Sequence, residues 1–132
     1  RGEGDTTVSV ERLGQWHLFD LPCGPYQVGV FRVSGPLMDQ LAVEQQSEKD
    51  AQDEYAQTEG LYIPQERAIY LREGIGDLAE FETLMHECCH AILHLSGLDK
   101  RLGVEEETLC QTFGLLLSQM FYSLSPSLKK DT

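Results

Sequence analysis

The sequence predicts an α+β fold in which short strands precede two helices. Tyr26–Val33 alternates apolar and polar side chains and is rich in β-branched residues, which is typical of a strand. Residues 61–63 and 68–71 are two more short apolar runs, and the turn-forming residues 64–67 between them indicate a hairpin. The second half of the chain has the spacing of two helices, so strands and helices are segregated along the sequence.

The boundaries of the two helices follow from their end signals. The first helix is predicted from about residue 78 to 96, with Asp77 and Glu80 as a capping-box-like start and Gly97 as its end. The second is predicted to begin near residue 104 and to stop at residue 125, because a proline follows.

The rest of the chain is less patterned. With 132 residues, the chain is predicted to form a single domain, 1–132. Residues 1–9 and 126–132 are expected to be loose tails. Residues 37–59 are polar and acidic with a weak helical pattern, which predicts a helix followed by a loop.

Composition excludes some classes of partner. The net charge of −12 disfavours a nucleic-acid partner, whose phosphates would be repelled. No apolar run approaches the roughly 18 residues that cross a bilayer, and no signal-peptide pattern opens the chain, so no membrane partner and a cytoplasmic location are expected. The four cysteines are then expected to be reduced thiols.

The strongest chemical signal is His86-Glu87-Cys88-Cys89-His90, a His-Glu-x-x-His pattern within the first predicted helix. Helical residues four apart share a face, so both imidazoles can bind one metal ion. Glu87 flanks that face, where a carboxylate can act as a base on water. Two nitrogen ligands, a carboxylate base and one further ligand make up a catalytic zinc site, so Zn²⁺ is the predicted cofactor.

The third ligand is predicted to come from the second helix. If Glu106 is taken as zero, most large apolar residues of that helix fall within about 80° of it, so Glu106 lies at the centre of the predicted buried stripe. A buried carboxylate requires a cation, which a metal at His86 and His90 would supply. Glu105 and Glu107 remain alternatives, since three acids in a first turn also complement the helix dipole.

His94 is a further candidate for the site. It lies about 80° around the helix from His86, too far for a third helical ligand, and is predicted to support the site through a hydrogen bond or to lie on the surface. Four side chains have the chemistry of an oxyanion donor, and spacing selects none of them: Tyr62, Tyr70, His94 and Tyr122.

On these residues the chain resembles the zincin metallopeptidases. His86-Glu87-x-x-His90 followed by a glutamate on the next helix is similar to the glutamate-liganded group, and most to small ImmA/IrrE-type and phage- or prophage-encoded proteins. The similarity covers roughly residues 60–124. The Ala-Asn and Met-Pro elements often seen in the ImmA/IrrE glutamate helix are absent.

The resemblance implies a minimal zincin-like fold, in which a small mixed sheet packs on the motif helix. It implies a zinc metallopeptidase with His86, His90 and Glu106 as ligands and Glu87 as the general base that activates a zinc-held water. The partner would be a peptide or protein substrate, bound along an edge strand for which residues 68–71 are the candidate. A phage-encoded protein expressed in a bacterial host would be cytoplasmic.

Two other functions remain open. One is a non-enzymatic, zinc-stabilised binding or regulatory module of a phage or mobile element, which would have a closed four-ligand site. The other is a helix that binds no metal and merely packs, in which case Glu106 would need another partner. The sequence leaves the substrate and the oligomeric state undetermined.

Overall fold

The computed structural model describes residues 12–45 and 58–129. The predicted tail over residues 1–9, the last three residues of the tail predicted over 126–132, and residues 46–57 of the segment predicted as a helix followed by a loop lie outside the described residues. The elements are, in chain order, β1 (Gln15–Cys23), β2 (Tyr26–Val33), α1 (Gly35–Gln45), β3 (Gly60–Ile63), β4 (Ala68–Arg72), α2 (Asp77–Ser96), α3 (Asp99–Leu102) and α4 (Glu105–Lys129). The α+β class is confirmed. The sequence did not predict β1.

The four strands form one mixed sheet in the order β1-β2-β4-β3. β1 and β2 form an antiparallel hairpin, β2 and β4 run parallel, and β3 and β4 form the predicted antiparallel hairpin. The parallel pair needs a crossover, which begins with α1. The position of residues 68–71 corrects one expectation: they belong to β4, whose five residues are all buried between β2 and β3. The edge strand beside α2 is β3.

Helices cover both faces of the sheet. One face packs on α1 and forms a core of eight buried residues: Phe31, Val33, Leu37, Met38, Leu41, Ile63, Ala68 and Tyr70. The other face packs on the apolar stripe of α2, which contributes Leu84, Cys88, Ala91 and Leu95. Alternate residues of β2 and β4 therefore serve two different cores, as the two-residue repeat of a strand requires. His86 and His90 of α2 belong to neither core.

The first predicted helix is confirmed to within one residue at its start. Gly97 ends α2 in the left-handed conformation, with φ of 82°. The predicted capping box is wrong: the N-cap is Gly76, and Asp77 is already helical. Glu80 instead forms two hydrogen bonds of 2.8 Å with the guanidinium of Arg32, so that its carboxylate ties α2 to β2.

α4 packs on the outer face of α2 and runs antiparallel to it. Two predictions about this helix are wrong. It continues past Pro126 to Lys129, because the φ of a proline is itself helical and the ring removes only one donor. The predicted buried stripe is largely exposed, since Phe113, Leu116 and Met120 each keep about half or more of their surface. The residues of α4 that are buried are small: Cys110, Gly114 and Ser118.

No helix among residues 12–45 and 58–129 combines the length and the apolar character that a bilayer crossing requires.

Candidate metal centre

The His-Glu-x-x-His residues lie on α2 as predicted, with both histidines on one face. The ring centroids of His86 and His90 are 5.1 Å apart, and each side chain is about one-fifth exposed. The face is not part of the apolar stripe that packs on the sheet. It lies between the edge strand β3 and the first turn of α4, where a cleft of about 390 Å³ opens.

Glu107 lies between the two imidazoles. One of its carboxylate oxygens is 2.9 Å from Nε2 of His90, and the other is 3.3 Å from Nε2 of His86. Two ligands of a tetrahedral zinc ion, each about 2.0 Å from it, lie about 3.3 Å apart. These three side chains therefore form a candidate metal-binding group, with all ligand atoms within 4.8 Å of one another.

Glu106 meets the other nitrogen of the His90 ring. Its Oε2 is 2.6 Å from Nδ1 of His90, the distance of a short charge-assisted hydrogen bond. A carboxylate on the second nitrogen of a ligating histidine fixes the tautomer and the orientation of the ring. Glu106 as third ligand stays a prediction, while the distances favour Glu107 for that position. Glu105 is exposed and belongs to neither candidate metal group among the described residues.

A second candidate group consists of His90, Glu106 and Cys110. It shares His90 with the first group and lies towards Nδ1, the nitrogen that meets Glu106. Cys110 is fully buried and its thiol contacts Cys89 on α2. Burial raises the pKa of the Cys110 thiol, which opposes the thiolate that a metal needs. All four cysteines are free thiols.

Glu106 has a partner within the described residues even without a metal. The His90 ring can be the cation beside this carboxylate: burial lowers the pKa of His90, but the hydrogen bond that it donates to Glu106 and the charges of Glu87 and Glu107 raise it more. The pKa of His86 is lowered instead, chiefly by burial. The two histidines thus differ in the metal-free site.

Glu87 is the most buried charged group of the site. Only 9% of its surface is exposed, and burial raises its pKa to about 7, with a smaller opposing effect from His90. The backbone N–H of Tyr62 on β3 donates to its carboxylate. The edge strand therefore holds the carboxylate beside the two histidines.

Two glycines allow other elements to approach α2 this closely, and sequence reasoning missed both. A Cβ on Gly60 of β3 would lie 2.2 Å from Cγ2 of Thr83 and 3.2 Å from Cγ of Glu87. A Cβ on Gly114 of α4 would lie 3.0 Å from Cα and Cβ of His86. The available signal on α4 was the four-residue spacing of Cys110, Gly114 and Ser118, which marks a face suited to close helix packing.

Of the four oxyanion candidates, the fold brings two to the cleft. Tyr62 and His94 both line it, and the Tyr62 hydroxyl is 2.8 Å from Nδ1 of His94. His94 as a supporting residue of the metal site stays a prediction, since the hydrogen bond that it forms joins it to Tyr62. Tyr70 lies in the core under α1 and bonds Glu66, and Tyr122 lies two turns beyond the point where Gly114 meets His86.

No family model, curated protein or solved structure matches the chain, so the comparisons assign it to no family.

Proposed function

We propose that the protein is a zinc-dependent peptidase whose metal is held by His86, His90 and Glu107, with Glu87 as the general base. The observation that carries this proposal is that the ligand atoms of His86, His90 and Glu107 lie within 4.8 Å of one another. The buried carboxylate of Glu87, which can act as a base, lies beside them. Two imidazole nitrogens and a carboxylate oxygen form a donor set that zinc accepts in catalytic sites.

Glu106 and Glu107 of α4 have separate roles in this proposal. Glu107 meets Nε2 of both histidines and completes the ligand set. Glu106 accepts the Nδ1 proton of His90, which keeps Nε2 free of a proton and directed at the ion. Mutation of such a supporting carboxylate typically lowers metal affinity about 10- to 100-fold.

Glu87 is suited to move a proton. Zinc, when bound, supplies a Lewis acid that polarises the scissile carbonyl and makes water a stronger acid. Glu87 takes the proton of the attacking water and later delivers it to the leaving amine. In the metal-free protein burial raises the pKa of Glu87 to about 7, and a bound Zn²⁺ would lower it, because the cation favours the carboxylate that accepts the proton.

The substrate proposed is an extended peptide lying along β3. This strand pairs with β4 on one side, and Gly60, Leu61 and Tyr62 line the cleft that contains the histidines. An edge strand binds a peptide through main-chain hydrogen bonds, so the peptide bond lies beside the site. Tyr62 and His94 are near enough to the cleft to donate to the developing oxyanion.

The first experiment is elemental analysis of the purified protein with added zinc, together with three variants. We expect about one zinc per chain in the wild type, none in His90→Ala or Glu107→Gln, and weakened but detectable binding in Glu106→Gln. Equal loss in Glu106→Gln and retention in Glu107→Gln would exchange the two roles. A wild type that binds no metal would refute the proposal.

The second experiment measures cleavage of a fluorescence-quenched peptide library. Glu87→Gln should retain its zinc and lose about 10²- to 10⁴-fold in rate, because the general base is removed while the ligands remain. Cleavage that is unchanged in this variant would show that the activity belongs to a contaminant or to another residue.

One observation favours a second candidate, a non-enzymatic module with a sheltered structural zinc. The group of His90, Glu106 and Cys110 includes a fully buried thiol, as a structural site does. Cobalt-loaded protein separates the two. A near-ultraviolet thiolate-to-cobalt band that disappears in Cys110→Ala supports the structural site, whereas its absence from the wild type supports the His86, His90 and Glu107 site.

A further inference from the structure

Tyr62 of the edge strand β3 bonds two residues of α2. Its backbone N–H donates to the carboxylate of Glu87, and its hydroxyl oxygen is 2.8 Å from Nδ1 of His94. The rings of Tyr62 and His94 lie 5.7 Å apart between centroids. All three residues line the cleft that contains the two histidines of the candidate metal centre. One residue of β3 thus holds two groups of the cleft in place.

The hydrogen bond between Tyr62 and His94 has one direction. Burial raises the pKa of Tyr62 to about 12, so the phenol keeps its proton at neutral pH. Among the described residues, Nδ1 of His94 is the only partner of that hydroxyl, so the phenol donates and the ring nitrogen accepts. A neutral imidazole that accepts at Nδ1 carries its own proton on Nε2. Tyr62 therefore selects the Nε2–H tautomer of His94.

The Nε2–H group of His94 is available as a donor in the cleft. In the part of the chain that the structure describes, Nε2 bonds no other group. The ring lies about 80° around α2 from His86, too far to share a metal ion with it. Its Cβ is one helical turn, about 5–6 Å, from that of His90. His94 can therefore reach the oxygen of a carbonyl held beside His90, although it cannot act as a third ligand.

Glu87 and His94 lie at opposite ends of the site. Glu87 precedes His90 by three residues, and His94 follows it by four, so the two are about 10 Å apart along the helix axis. Hydrolysis of a peptide bond needs a base for the attacking water and a donor for the carbonyl oxygen that gains negative charge. These two groups act on different atoms, which the separation allows.

We propose that His94 is the hydrogen-bond donor to the substrate carbonyl oxygen, and that Tyr62 is a positioning residue for both Glu87 and His94. Tyr62 acts on Glu87 through its backbone and on His94 through its hydroxyl. Because the phenol proton is engaged by Nδ1, Tyr62 does not itself donate to the substrate. The inference rests on the proposed peptidase function and selects one donor from the two that line the cleft.

The first test reads the tautomer of His94 directly. Long-range proton–nitrogen NMR spectra of the metal-free, ¹⁵N-labelled full chain at mildly alkaline pH distinguish the two neutral tautomers, and His94→Gln assigns the signals. We expect Nε2–H in the wild type and a mixture of tautomers in Tyr62→Phe. An Nδ1–H tautomer in the wild type, or an unchanged tautomer in Tyr62→Phe, would overturn the proposal. This measurement depends on neither zinc nor activity.

The second test is peptide cleavage by the zinc-loaded protein. His94→Phe should lower kcat about 10²- to 10³-fold with KM and zinc content nearly unchanged, because an oxyanion donor acts mainly in the transition state. His94→Gln should recover part of the rate, since its amide can donate. Tyr62→Phe should lower kcat about tenfold, because the backbone bond to Glu87 remains. His17→Gln is the control, since that exposed histidine lies on β1 and bonds Asp20.

The outcomes separate this inference from the proposed function. If the wild type cleaves peptides and His94→Phe is equally fast, the donor is another group and the peptidase function stands. If His94→Phe loses its zinc in proportion to its rate, His94 supports the metal and the donor assignment is wrong. If the wild type neither binds zinc nor cleaves peptides, both proposals fall. Circular dichroism of each variant is the folding control, and the wild-type tautomer requires no variant to fold.

Discussion

The two helical layers of this protein are attached to it in different ways. α1 covers its face of the sheet with large side chains, and Met38 and Leu41 are essentially inaccessible. α4 packs on α2 through small residues such as Cys110 and Gly114, while Phe113, Leu116 and Met120 stay about half or more exposed. Burial of apolar surface stabilises the first contact, whereas close approach of two backbones defines the second. Glu106 and Glu107 therefore stand on a helix that contributes no residue to either hydrophobic core.

The largest expected difference between α1 and α4 is in the stability cost of replacing one methionine of each helix by alanine. Met38→Ala should lower the free energy of unfolding by about 3 kcal/mol, because it leaves a cavity in the α1 core. Met120→Ala removes the same atoms from a site that is 64% exposed and should cost less than about 1 kcal/mol. Urea denaturation measures both. Equal losses would mean that α4 is packed as tightly as α1.

The contact between β3 and α2 is expected to show the next largest loss of stability when a side chain is added to it. Gly60→Ala places a Cβ 2.2 Å from Cγ2 of Thr83 and should cost about 2 kcal/mol, the usual effect of overpacking. Thr83→Ser removes that methyl group, so the double variant should recover most of the loss in a double-mutant cycle. If the two changes are simply additive, the strand does not approach α2 at this point.

A larger side chain at the contact between α4 and α2 should lower zinc affinity as well as stability. Gly114→Val introduces a Cβ 3.0 Å from the backbone of His86, which should displace α4 and cost between about 1 and 2 kcal/mol. Because Glu106 and Glu107 move with α4, zinc affinity should fall by an order of magnitude or more. Thr112→Val, an exposed change on the same helix, is the control. Unchanged zinc affinity in Gly114→Val would contradict the close approach.

Glu87 lies on α2 between β3 and the first turn of α4, and its ionisation should be visible in stability. Its pKa in the folded protein is about 7, above the 4.5 of a free glutamate, so the folded state holds the proton more tightly. This contribution to stability is complete below pH 4.5 and is lost as the pH rises through about 7.

The variant Glu87→Gln cannot ionise and should therefore escape that loss. In the presence of a chelator it should exceed the wild type by about 3 kcal/mol well above neutral pH and match it in acid. Thermal unfolding across this pH range measures the difference. A difference that does not vary with pH would mean that the Glu87 carboxyl is not held in a desolvated position.

An element could be predicted from the sequence where its signal depends only on residues near it in the chain. The spacing of apolar residues along 78–96, the left-handed Gly97 and the turn over residues 64–67 depend on neighbours in the sequence, and all three are confirmed. The edge strand was not predictable in this way. Whether β3 or β4 lies at the edge depends on β2 pairing with β4, which joins residues about forty positions apart.

The apolar pattern of α4 misled for a physical reason. Hydrophobic spacing identifies the face that water would leave, but it does not say what covers that face. The small residues that α4 buries have little hydropathy, and their effect is to let two backbones approach. Centring the helix on its apolar stripe therefore selected Glu106, whereas the actual contact with α2 brings Glu107 to Nε2 of both histidines.

The sequence by itself determined that His86 and His90 share a helix face with Glu87 beside them, because helical geometry alone places residues one and four positions apart. It also determined that acidic side chains would follow on the next helix. The tertiary structure decided which nitrogen of His90 each carboxylate meets, that Glu87 is buried against β3, and that the large apolar residues of α4 face outward. These facts depend on contacts between elements, and the distances that two glycines allow set those contacts.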